Sequence, residues 1–416
     1  MYKEGIYVRQ SDTSYLQYLR IAANLGYANA EVELGDMYMR GNEKPHVSKN
    51  IEEGLVLYQK AAEKYNSEAI LRLGCIYRDG LEGFVDPDPE TGYQYIKAAA
   101  QTDNPRAWFE YGYVTLHGRG CNYDYAEAIR YISAAAEQDV PNAFKLMGDI
   151  YYNGYGMEVD ATEAAKWYQK AVDADYGNAY ASLGYMYLYG IGVTQNESKG
   201  FQLVKESADA GYADGYKLFG VCYENGMGTA KFISLAIQNY KKAADLGDNY
   251  ARYRLYLLYR NGEDIAKDWT QSIQYLRKAA DAGYSDALCA LGGEYLIGEL
   301  THQEDSKAIE YITLAADAGN VHAAAFLGII YYSAGEEYPV EKDYDKAYKY
   351  LCIAAANADD IDNKNLLGET YRDLGACYRF GRGTEVNHSL ASYYTELAAE
   401  YGDASSFNAV KMLRNK

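Results

Sequence analysis

Five Gly-x-Gly pairs are the first features that could do chemistry: Gly118/Gly120, Gly154/Gly156, Gly190/Gly192, Gly226/Gly228 and Gly381/Gly383. Such a loop cradles phosphate when a strand leads into it and a helix N-terminus follows at once. Here a helical pattern precedes each pair, so they read as loops and helix caps. Asp360-Ile-Asp362-Asn-Lys364-Asn-Leu366 has the opening spacing of a calcium loop, but its sixth position is not glycine and its twelfth, Tyr371, is not glutamate. A solvated acidic loop is the better reading. The five histidines (His46, His117, His302, His322, His388) form no i, i+4 pair and no HExxH, the spacings that hold zinc. No serine has lysine three positions on, and there is no Gly-x-Ser-x-Gly. The residues therefore predict no catalytic site, no metal and no cofactor.

Composition narrows the class. The chain of 416 residues carries a formal charge of −19, a field that repels phosphate backbones, and it has no basic run. Nucleic-acid binding is excluded on that ground. The negative charge fits either the solubility of a large surface or selection for a basic partner. No window approaches the ~18 apolar residues a membrane helix needs, and Met1-Tyr-Lys-Glu-Gly-Ile-Tyr-Val-Arg is no signal peptide. Six scattered cysteines (Cys75, Cys121, Cys222, Cys289, Cys352, Cys377) without a CxxC predict reduced thiols in a cytoplasmic chain. Tyrosine, at 48 against 9 Phe, is used so heavily that it must fill a fixed slot, ring packed and hydroxyl near water.

The elements that position these residues repeat. The phrase Ala-x-x-x-Leu-Gly-x-x-Tyr-x-x-Gly begins at Ala30, Ala69, Ala107, Ala143, Ala179, Gly215, Ala251, Ala287, Ala323 and Thr370. The steps are 39, 38, six of 36, then 47. Phrase positions 0, 4, 8 and 11 share one helix face, which defines helix A. A glycine inside a helix costs about 1 kcal/mol relative to Ala, so its recurrence (Tyr256 the exception) predicts another helix passing too close for a side chain. The closing glycines Gly154, Gly190 and Gly226 fit left-handed caps. A second phrase, as in Ala164-Ala-Lys-Trp167-Tyr168-Gln-Lys-Ala171, defines helix B. Asp124-x-x-Glu127 and Asp160-x-x-Glu163 start it as capping-box variants. Gly26, Gly211, Gly247, Gly283, Gly319 and Gly402 end it, with Asp103, Asp139 and Asp175 at the same slot elsewhere. The paired alanines of helix B are expected to lie against the glycine of helix A.

These phrases resemble the Sel1-like repeat, a relative of the tetratricopeptide repeat, over nearly the whole chain. The resemblance implies an all-α fold, a right-handed α/α superhelix (solenoid) of about ten helix-turn-helix repeats. The expected layout is one solenoid over 1–416: a half repeat at 14–29, regular repeats over 30–356, an insertion at 357–369, a last full repeat at 370–405 and a half repeat at 406–416. The family's disulfide-stapled subgroup is not matched, since no repeat holds two suitably placed cysteines. Its β-lactamase-like description is put in doubt by the missing Ser-x-x-Lys, so no enzyme is expected.

What the family implies for function is a scaffold or adaptor that binds a protein or peptide; an exported effector acting on host or signalling proteins is the alternative. Carried over from the related tetratricopeptide repeats, the concave groove falls at phrase positions −1, 2, 6, 9 and 10. The partner-binding residues expected there are Arg106, Phe109, Tyr113 and His117; Lys145, Asp149, Tyr152 and Asn153; Asn178, Tyr185 and Tyr189; Lys217, Glu224 and Asn225; and Tyr250, Tyr253, Arg260 and Asn261. Leu116 and Leu188 occupy position 9 of the same lining. Tyrosine and arginine are the usual anchors of such interfaces.

Overall fold

The computed structural model describes residues 12–262, 265–298, 301–334 and 340–406. Both of its compact units, residues 1–210 and 211–416, are made of consecutive packed helix pairs. The first holds α1 (Asp12–Asn24), α2 (Ala28–Arg40), α3 (Ile51–Ala62), α4 (Ser67–Asp79), α5 (Pro89–Ala100), α6 (Pro105–His117), α7 (Tyr125–Glu137), α8 (Pro141–Asn153), α9 (Ala161–Asp173), α10 (Gly177–Tyr189) and α11 (Glu197–Asp209). The second holds α12 (Ala213–Asn225), α13 (Ile233–Asp245), α14 (Asn249–Asn261), α15 (Trp269–Asp281), α16 (Ser285–Ile297), α17 (Asp305–Asp317), α18 (Val321–Ser333), α19 (Tyr344–Ala356), α20 (Lys364–Phe380) and α21 (His388–Glu400). Even numbers are helix A and odd numbers helix B. Among the described residues there is no strand, and extended pairing is limited to the bridges Asn42–Val47 and Leu81–Val85.

Most copies of helix B start where a side-chain oxygen takes a free backbone N–H, as Asp124 accepts from Glu127 at 3.0 Å and Asp160 from Glu163 at 2.9 Å; the caps Phe232 and Glu304 make no such bond. The cap's own N–H, which a capping box would hand to the glutamate, donates instead across the loop. Its acceptor is the carbonyl of the Tyr-slot residue in helix A, as in Asn50 to Tyr38 (2.8 Å), Asp160 to Tyr151 (2.9 Å) and Asn387 to Tyr378 (2.9 Å). All ten A–B pairs make this bond.

The in-helix glycines mark the crossing points, but their neighbours are not the paired alanines. A Cβ on Gly112 would stand 2.5 Å from Ile132, on Gly148 2.5 Å from Tyr168, and on Gly220 2.6 Å from Tyr240. The contacting residue stands three positions before the alanines, because that turn of helix B faces helix A. The alanines themselves are buried with the opening alanine of the next helix A, as Ala135 and Ala136 are with Ala143. The tyrosines fill paired slots: Tyr295 stacks on Tyr311 (5.6 Å between ring centroids) and Tyr378 on Tyr394 (5.8 Å), joining helix A to its own helix B.

Two expectations change at the joints. Asp139 and Asp175 take the left-handed conformation (φ 55 and 54), as does Tyr65, but Asp103 does not. Its turn is closed by side chains instead: the Thr102 hydroxyl donates to the Ala99 carbonyl and the Trp108 indole to that of Thr102. The segment read as an insertion is also partly helical. After a 3-10 turn at Ala358–Asp360, α20 begins at Lys364 and reaches 17 residues, against 13 for α18. The extra length is about one α-helical turn, and α20 packs on both α18 and α19. The half repeat expected at 406–416 lies, beyond Ser406, outside the described residues.

Two adjacent glycines in α16 test the crossing constraint with opposite signs. A Cβ on Gly292 would meet Ile312 at 2.6 Å, whereas one on Gly293 would meet nothing within 4 Å. Gly292→Ala is expected to destabilise by about 1–3 kcal/mol through overpacking. Gly293→Ala should stabilise by about 0.5–1 kcal/mol through helix propensity. Urea midpoints measure both; shifts of the same sign would refute the crossing argument.

Candidate functional site

The eighteen residues expected to bind a partner lie on successive helix A faces, and none of them is fully buried. Leu116 and Leu188, expected beside them, are 3% and 0% exposed and belong to the core. Position 9 therefore points inward at both of them. What remains outside is aromatic, amide or charged.

In the first unit the structure assembles three groups. Phe109, Tyr113 and His117 line up along one face of α6, with ring centroids 6.3 and 4.7 Å apart. The guanidinium groups of Arg78 and Arg119 lie 5.8 and 5.5 Å from the Tyr113 ring. Partial burial first, then the Arg119 charge, draws the His117 imidazole below its usual pKa. The second group is Tyr152, Tyr185 and Tyr189, the last two 4.6 Å apart and Tyr189 44% exposed. Burial and then the neighbouring Tyr185 raise the Tyr152 phenol above its ordinary pKa. The third is a cleft of about 650 Å³ among α2, α4, α6 and the start of α8, into which Arg40, Arg72, Glu68, Arg106, Phe109 and Asn142 project. Cys75 also faces it, its thiol pushed up to about 12 chiefly by burial, which makes it a poor nucleophile.

Many of the charges expected to face a partner are already engaged. Lys145 pairs with Asp149 at 2.7 Å, and Asp149 also accepts from the Tyr168 hydroxyl at 2.8 Å. In the second unit Lys217 pairs with Asp214 (2.5 Å), and Glu224 accepts from Arg254 and from the Tyr240 hydroxyl. Arg260 and the Tyr256 hydroxyl both meet Glu294, which is 2% exposed. The Tyr253 ring lies tilted against those of Tyr256 and Tyr284, and its phenol is pushed up to about 12 by burial and then by Asp286. The amides of Asn153 and Asn225 donate to carbonyls of their own helices. Asn178, Tyr250 and Asn261 sit at the helix ends, half-buried or exposed.

The arginines explain this pattern. Arg72 reaches Asp36 (2.8 Å), Arg106 reaches Glu68 (2.7 Å), Arg78 reaches Glu110 (2.6 Å) and Arg260 reaches Glu294 (2.6 Å), each from one helix A to a neighbouring one. On the described helices, helix A carries nine arginines and three lysines, while helix B carries three arginines and twelve lysines. The planar fork suits a fixed carboxylate and the ammonium suits open water. These pairs are partly buried, down to 2% exposure for the Glu294 side chain, and each bridges two copies of helix A, so the struts fix the register between neighbouring repeats. The residues missed in the sequence are their partners Asp36, Glu68, Glu110 and Glu294. The available signal was the segregation of arginine from lysine.

Among the described residues no group of three or more His, Cys, Asp or Glu could hold a metal ion, and no helix is long and apolar enough to cross a membrane. All six cysteines are free thiols.

The Sel1 repeat model matches eleven segments: 1–27, 28–66, 67–103, 105–140, 146–176, 177–212, 216–248, 249–284, 285–320, 321–359 and 369–403. The chain is similar to the chitin synthase regulator SKT5 of Saccharomyces cerevisiae, 34% identical over 130 residues, which is 30% of this chain and 18% of the regulator. Its fold is similar to that of a protective antigen present in uropathogenic Escherichia coli strains: 29% identity, TM-score 0.50, covering 94% of this chain and 80% of the antigen. A Sel1 repeat protein from Oxalobacter formigenes is 26% identical with a TM-score of 0.48, covering 75% and 89%.

The tyrosine–carboxylate contacts give a pH test. Burial first, then Asp149, raises the Tyr168 phenol far above its usual pKa of 10.0. Because the folded value is the higher one, this stabilisation is complete below pH ~10 and is lost as pH rises past the unfolded value. Tyr168→Phe should cost about 1.5–3 kcal/mol at pH 7.5, the worth of a hydrogen bond to a charged group. The gap to the parent should narrow at pH 10.5. Urea midpoints at both pH values measure it, and a gap that stayed constant would show that the phenol ionises as readily in the folded as in the unfolded chain.

Proposed function

This chain belongs to the Sel1 repeat family, and from that premise we propose that it is a non-catalytic scaffold holding a protein or peptide on its helix A faces. Sel1 and tetratricopeptide-like solenoids are typically non-catalytic, and repeat proteins of this kind bind proteins. The observation that carries the reading is the row of incompletely buried aromatic side chains Phe109, Tyr113, Tyr152, Tyr185 and Tyr189 on consecutive helix A faces of the first unit. Rigid aromatic side chains give large contact area at low entropic cost, which is why they dominate binding hot spots.

The match to a chitin synthase regulator supports a role in regulating another protein by contact. It spans 18% of that protein, so this role is part of the proposal. A basic partner is favoured at long range by the charge of −19. A cytoplasmic site of action is the reading that six free thiols support. The likeness to a protective antigen favours a second reading, an exported effector, which detection in culture supernatant would separate from the first.

The test is capture from native lysate by tagged protein, beside a variant with Tyr152→Ala, Tyr185→Ala and Tyr189→Ala. The proposal expects a partner retained by the parent and lost by the variant at unchanged circular dichroism. Identical capture by both would move the interface off the helix A faces.

A further inference from the structure

We infer that the tyrosine strip on α8 and α10 takes a proline-rich segment in the polyproline II conformation, flanked by basic residues. This rests on the scaffold reading and names the chemistry of its partner.

Charge comes first. Residues 1–210 hold 30 carboxylates against 19 cationic side chains, yet α10 carries no charged residue and α8 only Lys145 and Asp149. Those two neutralise each other at 2.7 Å. The strip is thus a neutral aromatic patch inside a strongly negative unit. An occupant with an uncharged centre and basic flanks complements both fields.

The surface chemistry then separates the modes of peptide recognition. An amphipathic helix lays its apolar face into a hydrophobic groove, but Leu188 is 0% exposed and Leu116 3%, so such a face would meet hydroxyl-bearing rings here in place of aliphatic side chains. Strand addition needs an open sheet edge, and among the described residues there is no strand. What the patch offers is rings one helical turn apart on α10, Tyr185 and Tyr189 at 4.6 Å, beside the ring of Tyr152 on α8. A polyproline II chain has no internal hydrogen bonds, and its prolines bring acceptor carbonyls without N–H donors. The Tyr152 and Tyr185 hydroxyls bond one another, which leaves one phenol proton of that pair to donate to those carbonyls while the rings pack against pyrrolidine faces, and the preformed helix loses little entropy on binding.

The test is fluorescence anisotropy with two labelled probes, decaproline and a Gly/Ser decamer, each flanked by two lysines at both ends. The inference expects decaproline to bind at least tenfold more tightly than Gly/Ser. Tyr189→Ala, at an exposed site, should weaken decaproline at least fivefold, and Tyr185→Ala likewise with unchanged circular dichroism. Tyr185→Phe should weaken it less. Equal binding of both probes would reduce the effect to charge, and unchanged binding by both alanine variants would place it elsewhere; either overturns the inference. If the lysate partner is lost by the alanine variant while decaproline never binds, this inference fails and the scaffold reading stands.

Discussion

In eight of the ten repeats helix A and helix B cross where a Cβ would stand less than 3 Å from the facing helix, and the rest of the repeat is arranged around that contact. Gly112, Gly148, Gly184 and Gly220 each leave less than 3 Å to the side chain opposite. Interiors are close-packed, so a methyl group there would have to displace a ring, an isoleucine or, at Gly184, Val204. The glycine costs helix propensity, about 1 kcal/mol, and the close approach offsets it by letting one large side chain cover the crossing. Where Tyr256 takes the glycine's place, its ring stays in the core and its hydroxyl reaches Glu294 of the next helix A.

The same contact determines which charges the outer face must carry. Where the covering residue is tyrosine (Tyr58, Tyr168, Tyr240), its hydroxyl emerges on the helix A side and finds Asp36, Asp149 or Glu224. The neighbouring arginines then bracket two of these acids, Arg72 on Asp36 and Arg254 on Glu224. The ionic pattern of the groove thus follows from the packing underneath it. It leaves the aromatic side chains, rather than the charges, as the variable part of the surface.

Much of this was legible in the residues. The 36-residue register, the glycine crossing and the caps at Asp124 and Asp160 follow from spacing and propensity, which act locally. The identity of the residue facing the glycine was not, because helix B offers several small and large side chains at each turn and the crossing angle selects among them. The groove was legible by position but not by engagement. Lys145, Lys217, Glu224 and Arg260 look free from their positions along the chain, and only three-dimensional distances of 2.5–2.7 Å among their ion pairs and hydrogen bonds show them occupied. Leu116 and Leu188 went inward for the elementary reason that aliphatic surface leaves water when it can.

The N–H of each helix B cap bonds a carbonyl of the helix A before it in all ten pairs, from Asn50–Tyr38 to Asn387–Tyr378. The bond is made by main chain alone, and the cap residue can be Asn, Asp, Glu or even Phe232. Such a joint holds no record of side-chain identity. Duplicating a stretch of the gene that encodes one repeat copies the joint intact, and later substitution on the copy's outer face leaves it unharmed. The architecture can therefore lengthen by whole units and acquire new surfaces in separate evolutionary steps, because assembly and recognition are written in different atoms.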